Sequence, residues 1–224
     1  MIEVKDLVKI YDKGKENEMT ALDGVSFDIK DGEILGICGG MGSGKSTLLE
    51  ILSGNETADN GSVVIDGVNI LGMKGKKASK LRLKKFGLIL TDFSLVEERT
   101  VLENIEMPLL VAGAGVKKRD RFTKCLTAAK SVGLFTSLDS VVGALSGGQK
   151  QKVAIARAIV GDPDYIIADE PTQGLDAVTS KDVLDTFVRL KKSGKTVIMV
   201  TNEPRVTDMC DRVIYLSQGK VVEK

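Results

Sequence analysis

Histidine and tryptophan are absent from this 224-residue chain, proline occurs four times, cysteine three times, and aromatic residues make up 4%. The missing histidine removes the one side chain that ordinarily titrates near neutral pH. A Ser-His-Asp triad, a histidine-bearing zinc site and a histidine phosphocarrier are thereby excluded. Cys38, Cys125 and Cys210 lie far apart in the sequence and cannot all pair within the chain, which fits a reducing compartment better than a disulfide framework. Long apolar runs are missing too. The stretch from Met107 to Val116 is uncharged but holds a proline and two glycines, and it falls well short of the ~18 apolar residues of a membrane span. The opening MIEVKDLVKIYDK mixes both charges, so no secretory leader is expected, and any membrane role must come through a partner. Neither charge sign dominates: Lys and Arg number 32 against 31 Asp and Glu, a net charge of +1 that supplies no basic face for nucleic acid and no acidic tail.

At about 100–200 residues per domain, one large domain over 1–224 is expected. Alternating or β-branched runs predict strands at 2–10, 25–30, 33–38, 62–66, 86–90, 164–168, 196–201 and 212–216. Helical patterns fall at 45–53, 101–110, 117–132, 147–160, 177–192 and 203–210, each opening near Ser, Thr, Asp or Gly. Strands alternating with helices predict an α/β core with a mostly parallel sheet. The rhythm breaks over about 92–160, read as a helical sub-domain inserted into a core of about 1–91 and 161–224. The basic run KGKKASKLRLKK, Lys74 to Lys85, reads as a solvated helix face.

Strand 33–38 runs into Gly39-Gly40-Met41-Gly42-Ser43-Gly44-Lys45-Ser46-Thr47 and then into the apolar helix LLEIL. This is a phosphate-binding loop in its required strand-to-helix setting. Glycines 39, 42 and 44 remove Cβ atoms that would stop the backbone curling round an anion, so that successive N–H groups face the phosphates. The helix N-terminus adds its positive dipole end. Lys45 supplies a point charge to the β- and γ-phosphate oxygens, and the Ser46 hydroxyl is placed to ligate Mg²⁺. Far along the chain, Tyr165-Ile166-Ile167-Ala168-Asp169-Glu170 is a buried-type strand ending in two carboxylates. In open α/β sheets ligands sit at that C-terminal edge, which assigns Asp169 to the Mg²⁺ shell and Glu170 to polarising the attacking water. Together the two motifs describe a P-loop NTPase.

Leu145-Ser146-Gly147-Gly148-Gln149 narrows the kind. With this stretch ahead of the helix KQKVAIARAIV, the chain resembles the nucleotide-binding domains of ABC (ATP-binding cassette) transporters. The resemblance covers almost the whole chain. It implies that Ser146, Gly147, Gly148 and Gln149 form a second anion site at a helix N-terminus, reaching the γ-phosphate held by a second copy of the chain. ATP would then join two chains head to tail. By the same resemblance Tyr11 stacks on adenine, and Asp176 in Pro171-Thr172-Gln173-Gly174-Leu175-Asp176 contacts the partner copy. The segment TVLENIEMPLL looks like the compact exporter cassettes of the lipoprotein-release, macrolide-export and cell-division type. Phe93, Leu95 and the helix at 101–110 would line the region that receives an integral membrane permease. The implied protein is an ATP-hydrolysing transporter subunit, cytoplasmic and peripheral on the inner face of the membrane, with ATP and Mg²⁺ as its ligands. Soluble relatives in DNA repair carry a long coiled-coil insertion and those in translation carry two cassettes, neither of which this chain has.

Two positions depart from that family pattern. Thr91 stands where related cassettes carry a glutamine that touches Mg²⁺ and the attacking water, and Asn202 stands where they carry a histidine that contacts the γ-phosphate. A hydrogen bond to a charged group is worth ~1.5–3 kcal/mol, so losing either contact slows hydrolysis by about ten- to a hundredfold. The resemblance therefore leaves two readings: a slow ATPase, with the Asn202 amide as a partial substitute, or a hydrolysis-impaired regulatory or sensory cassette.

Overall fold

The computed structural model describes residues 1–73, 81–82, 84–111, 117–134 and 138–223. Most of the basic run at 74–85 lies outside them. The chain divides into two compact units, Met1–Arg82 with Thr196–Lys224, and Leu83–Lys195.

In the first unit, β1 (Ile2–Tyr11), β2 (Met19–Ile29), β4 (Asn60–Ile65) and β5 (Val68–Asn69) form an antiparallel sheet in the order β2-β1-β4-β5. Ile2, Val4, Leu7, Leu22, Val25, Val63 and Ile65 turn inward from it. β3 (Ile34–Gly39) pairs in parallel with β8 (Thr196–Val200) and β9 (Arg212–Ser217), and β10 (Lys220–Val222) closes antiparallel on β9. Ile34 to Cys38 and all of β8 are buried without alternation, as strands covered on both faces require. α1 (Lys45–Leu52) buries Leu48, Leu49, Ile51 and Leu52.

In the second unit β6 (Phe86–Ile89) pairs in parallel with β7 (Tyr165–Asp169), where the Phe86 and Tyr165 rings tilt together at 5.6 Å between centroids. Around them lie α2 (Val101–Val111), α3 (Lys118–Ser131), α4 (Gly147–Ile159) and α5 (Ala177–Lys192), with a 3₁₀ turn at Val142–Ala144. A reciprocal cap starts α2: the Thr100 N–H donates to Glu103 Oε2 at 2.8 Å, and the Glu103 N–H to Thr100 Oγ1 at 3.2 Å. The fully buried Asn104 amide then fixes the preceding loop, accepting from the Val96 N–H and donating to the Val96 and Thr100 carbonyls, all at 2.9–3.0 Å.

Four elements differ from the sequence reading. β2 begins at Met19, ahead of the expected start at 25, because register shifts against β1 break the period-2 pattern on which the expectation relied. The two-residue β5 and the exposed β10 are too short or too polar to signal themselves. The helix expected over 203–210 is helical only at α6 (Pro204–Thr207); beyond it the Met209 and Cys210 N–H groups bond three residues back, to Val206 and Thr207. Among the described residues no helix is long and apolar enough to cross a membrane.

Candidate functional site

β3 delivers the chain into the phosphate loop, and close packing explains the loop's glycines. A Cβ on Gly39 would lie 2.3 Å from the Leu216 carbonyl oxygen and 2.5 Å from Ser43 Oγ. Gly44 adopts φ +102°, and a Cβ there would stand 2.4 Å from the Ala21 carbonyl oxygen, so a larger residue is both strained and obstructed. Gly40 and Gly42 face open space, Met41 is fully exposed, and Ser43 is buried with its N–H on the Gly40 carbonyl at 3.2 Å. Gly44 is the N-cap of α1, where no side chain caps the first turn and no acid lies in it. An oxyanion therefore suits this terminus. Ser46 is exposed on the same turn, its hydroxyl an oxygen donor of the kind magnesium prefers.

Lys45 reaches back over the loop. Its ammonium donates to the Gly39 and Gly40 carbonyls at 2.6 and 2.8 Å and approaches Ser43 Oγ at 3.5 Å, so the cation is centred on the loop's concave side. Asn202, just past β8, joins the same cluster: its Oδ1 accepts the Gly39 N–H at 3.1 Å. With the carbonyl end committed, the amide end of Asn202 is the one available to donate to a phosphate. Tyr11 ends β1, its hydroxyl 3.5 Å from Thr47 Oγ1 and its ring covered on one face by the Lys9 ammonium, 5.0 Å from the centroid. Lys9 is held there by Glu56 at 3.0 Å.

In the second unit β7 buries Tyr165 to Ala168 and ends at Asp169. Glu170 follows at φ +44°, a left-handed conformation that non-glycine residues seldom adopt and that costs of order 1–3 kcal/mol. Its carbonyl accepts the Gln173 N–H at 3.0 Å, closing a tight turn behind the carboxylate. The Thr91 hydroxyl, at the end of β6, donates to the Asp169 carbonyl at 3.3 Å and so ties the two strand ends together.

The signature residues form a complete capping box. The Ser146 N–H donates to Gln149 Oε1 at 2.9 Å, and the Gln149 N–H donates to Ser146 Oγ at 3.3 Å. Gly148 packs on α5, where a Cβ would meet Thr179 Cγ2 at 2.4 Å. Asp176 caps α5, its Oδ1 accepting the Val178 and Thr179 N–H groups at 2.9 and 3.0 Å and its Oδ2 the Thr179 hydroxyl at 2.6 Å. The Thr179 hydroxyl, then the Thr179 and Val178 amides, hold the Asp176 carboxyl below its ordinary pKa. A depressed carboxylate stabilises the fold above the ordinary carboxylate range and loses that contribution as pH falls through its lowered pKa. The gap in urea midpoint between wild type and Asp176→Ala is therefore expected to be widest at neutral pH and to close in strong acid; a gap independent of pH would contradict the cap.

Two functional candidates escaped sequence reasoning. Arg157, on α4, donates to the Ser94 and Phe93 carbonyls at 2.5 and 2.7 Å, clamping two consecutive residues at φ +44° and +60° in the loop after Thr91. Burial lowers its pKa. A cation inside the otherwise apolar run VAIARAIV is the signal that could have found it. Gln151, on the same helix, is almost wholly buried and bonds to Pro171. The cysteines carry no comparable claim: none forms a disulfide, and burial pushes the Cys125 and Cys210 thiols up to about 11 and about 12, far from a reactive thiolate. On α2, a cavity of about 400 Å³ is lined by Val96, Arg99, Glu103, Glu106, Met107 and Leu110.

Among the described residues no cluster of three or more acids or cysteines could hold a metal alone. A hard cation takes oxygen donors; Ser46 carries a hydroxyl on the first turn of α1 in the first unit, and Asp169 a carboxylate at the end of β7 in the second.

Comparison with known proteins follows the same lines. A family model described as ABC transporter matches residues 22–173. The chain is 40% identical over 226 residues to the methionine import ATP-binding protein MetN of Geobacillus kaustophilus, covering 100% of this chain and 65% of that one. It is 38% identical over 222 residues to the macrolide export ATP-binding/permease protein MacB of Hyphomonas neptunium, covering 99% and 34%. A solved structure of the cassette MJ0796, a dimer in a post-hydrolysis state bound to ADP and Pi, superposes with a TM-score of 0.91 at 35% identity over 100% of this chain and 97% of that one.

Proposed function

The chain belongs to the ABC transporter family as an ATP-binding domain, and on that premise we propose that it is an ATP-hydrolysing subunit that dimerises on MgATP and drives a separate membrane permease. The observation that carries this reading is the phosphate loop: an uncapped helix terminus, Gly39 and Gly44, which cannot be replaced without collision, and the Lys45 ammonium on the Gly39 and Gly40 carbonyls. Lys45 and the loop amides hold the phosphate chain. Ser46 and Asp169 hold magnesium, whose charge offsets that of the phosphate oxygens when bound. Glu170 accepts the proton of the attacking water, and the Asn202 amide donates to the γ-phosphate. Ser146 and the backbone of Gly147 and Gly148, with Gln149 and Asp176, meet the nucleotide held by the second copy. The dimeric cassette bound to ADP and Pi supports both the pairing and the hydrolysis.

The cavity on α2 lies in the segment that the family resemblance assigns to permease contact, which supports docking of a membrane partner there and a position on the cytoplasmic face of a membrane. Import and export relatives are matched almost equally well, so the exporter-like or mechanotransmission reading rests on the segment TVLENIEMPLL.

Hydrolysis is slow in this reading, because Thr91 bonds to the Asp169 backbone and Asn202 spends half its amide on Gly39. An imidazole at 202 adds a longer donor toward the γ-phosphate. Asn202→His is therefore expected to raise phosphate release from MgATP about tenfold. No gain, alongside unchanged ATP binding, would show that this position does not limit the rate.

A further inference from the structure

Gln151 lies in the second turn of α4 with only 2% of its surface exposed. Its Nε2 donates to the Pro171 carbonyl at 2.7 Å. Pro171 is buried and immediately follows Glu170, the residue held at φ +44°. The other end of the same amide, Oε1, is buried and accepts no hydrogen bond among the described residues. Reversing the amide would set oxygen against oxygen, so the orientation is fixed by Pro171. A buried acceptor without a donor is costly, and a methionine of similar length would avoid it. Such a cost beside a strained backbone is what a functional site tolerates and ordinary packing does not.

From these observations we propose that Gln151 is a positioning residue for the Glu170 carboxylate. Its amide anchors the main chain at Pro171 to α4 and thereby holds Glu170 in the left-handed conformation from which the carboxylate addresses water. The Gln173 N–H on the Glu170 carbonyl and the Leu175 N–H on the Thr172 carbonyl close the turn on itself. Asp176 and Ser180 join its far end to α5, whereas the Gln151 amide ties its near end, next to Glu170, to α4. This inference rests on the ATPase reading above.

The test uses the full chain and Gln151→Met, with Val183→Ala on α5 as a cavity control that removes buried volume but no hydrogen-bonding group. In Gln151→Met, hydrogen exchange at the Gln173 and Leu175 amides is expected to quicken by about tenfold. Its kcat for ATP is expected to fall by about ten- to a hundredfold, while KM and nucleotide affinity stay within about twofold. Val183→Ala lowers the melting temperature and keeps kcat. If Gln151→Met does not fold, Gln151→Asn, which keeps the amide and withdraws it by one methylene, gives the same readouts. Unchanged exchange, an unchanged kcat in a chain that hydrolyses ATP, or an equal kcat loss in Val183→Ala would each overturn the positioning role. Failure of the wild type to release phosphate would instead sink the ATPase reading, and this role with it.

Discussion

Lys45→Ala is expected to weaken nucleotide binding by about ten- to a hundredfold or more, since each hydrogen bond from a charged group is worth ~1.5–3 kcal/mol and 1.4 kcal/mol is tenfold in affinity. The ammonium lies within 2.6–2.8 Å of two loop carbonyls, which places it where phosphate oxygens would replace them as acceptors. Alanine removes the one cation the loop directs at the anion and leaves the backbone amides to bind alone. In the wild type, nucleotide at a hundred times its Kd adds about 2.7 kcal/mol of stability, a rise of roughly 5–10 °C in Tm for a chain of this size. At the same nucleotide concentration a hundredfold weaker variant keeps only about 0.4 kcal/mol of that, so its Tm barely moves. A Lys45→Ala chain whose Tm still rises as far as the wild type's would place the nucleotide somewhere other than this loop.

Glu170→Gln is expected to separate binding from chemistry. The amide matches the carboxylate in size and can occupy the same left-handed position, so affinity for ATP is retained, but it cannot accept a proton from water. A positioned general base contributes about 10²–10⁴ in rate, and phosphate release is expected to fall by at least about a hundredfold. Because the nucleotide is then not consumed, the paired form outlives that of the wild type. Sedimentation of Glu170→Gln with MgATP should show a species of twice the chain mass that disappears with ADP. A single-chain species under both nucleotides would contradict nucleotide-driven pairing, and undiminished phosphate release would remove Glu170 from the reaction.

Much of this architecture was legible in the sequence, and the reasons differ by element. The phosphate loop was readable because its constraint is steric: positions such as Gly39 and Gly44 admit no Cβ, so residue type reports backbone path directly. β3, β7 and β8 were readable because strands buried on both faces are apolar throughout. The early start of β2 was hidden, since bulges against β1 carry the strand without regular alternation. Side-chain commitments were hidden for a different reason. Ser146 could be named from its motif, but its reciprocal bond with Gln149 depends on how α4 starts. Asp176 was expected to face a second copy, yet both its oxygens also cap α5 within its own chain. Gln151 and Arg157 drew no assignment from the sequence, because what they hold, Pro171 and the Phe93–Ser94 carbonyls, is far away along the chain.

The replacements at 91 and 202 take on a definite form in the fold. Thr91 is too short to act far from the backbone and instead joins the β6 and β7 ends. Asn202 lies at the rim of the phosphate loop, bonded to Gly39, and in the proposed function its amide stands in for the histidine of the family pattern.

The most direct test of the whole account is phosphate release by the purified chain under saturating MgATP, with Lys45→Ala and Glu170→Gln measured alongside. The account predicts slow, saturable release that both variants abolish, Lys45→Ala by losing the nucleotide and Glu170→Gln while still holding it. A wild-type rate no greater than that of Glu170→Gln would contradict it.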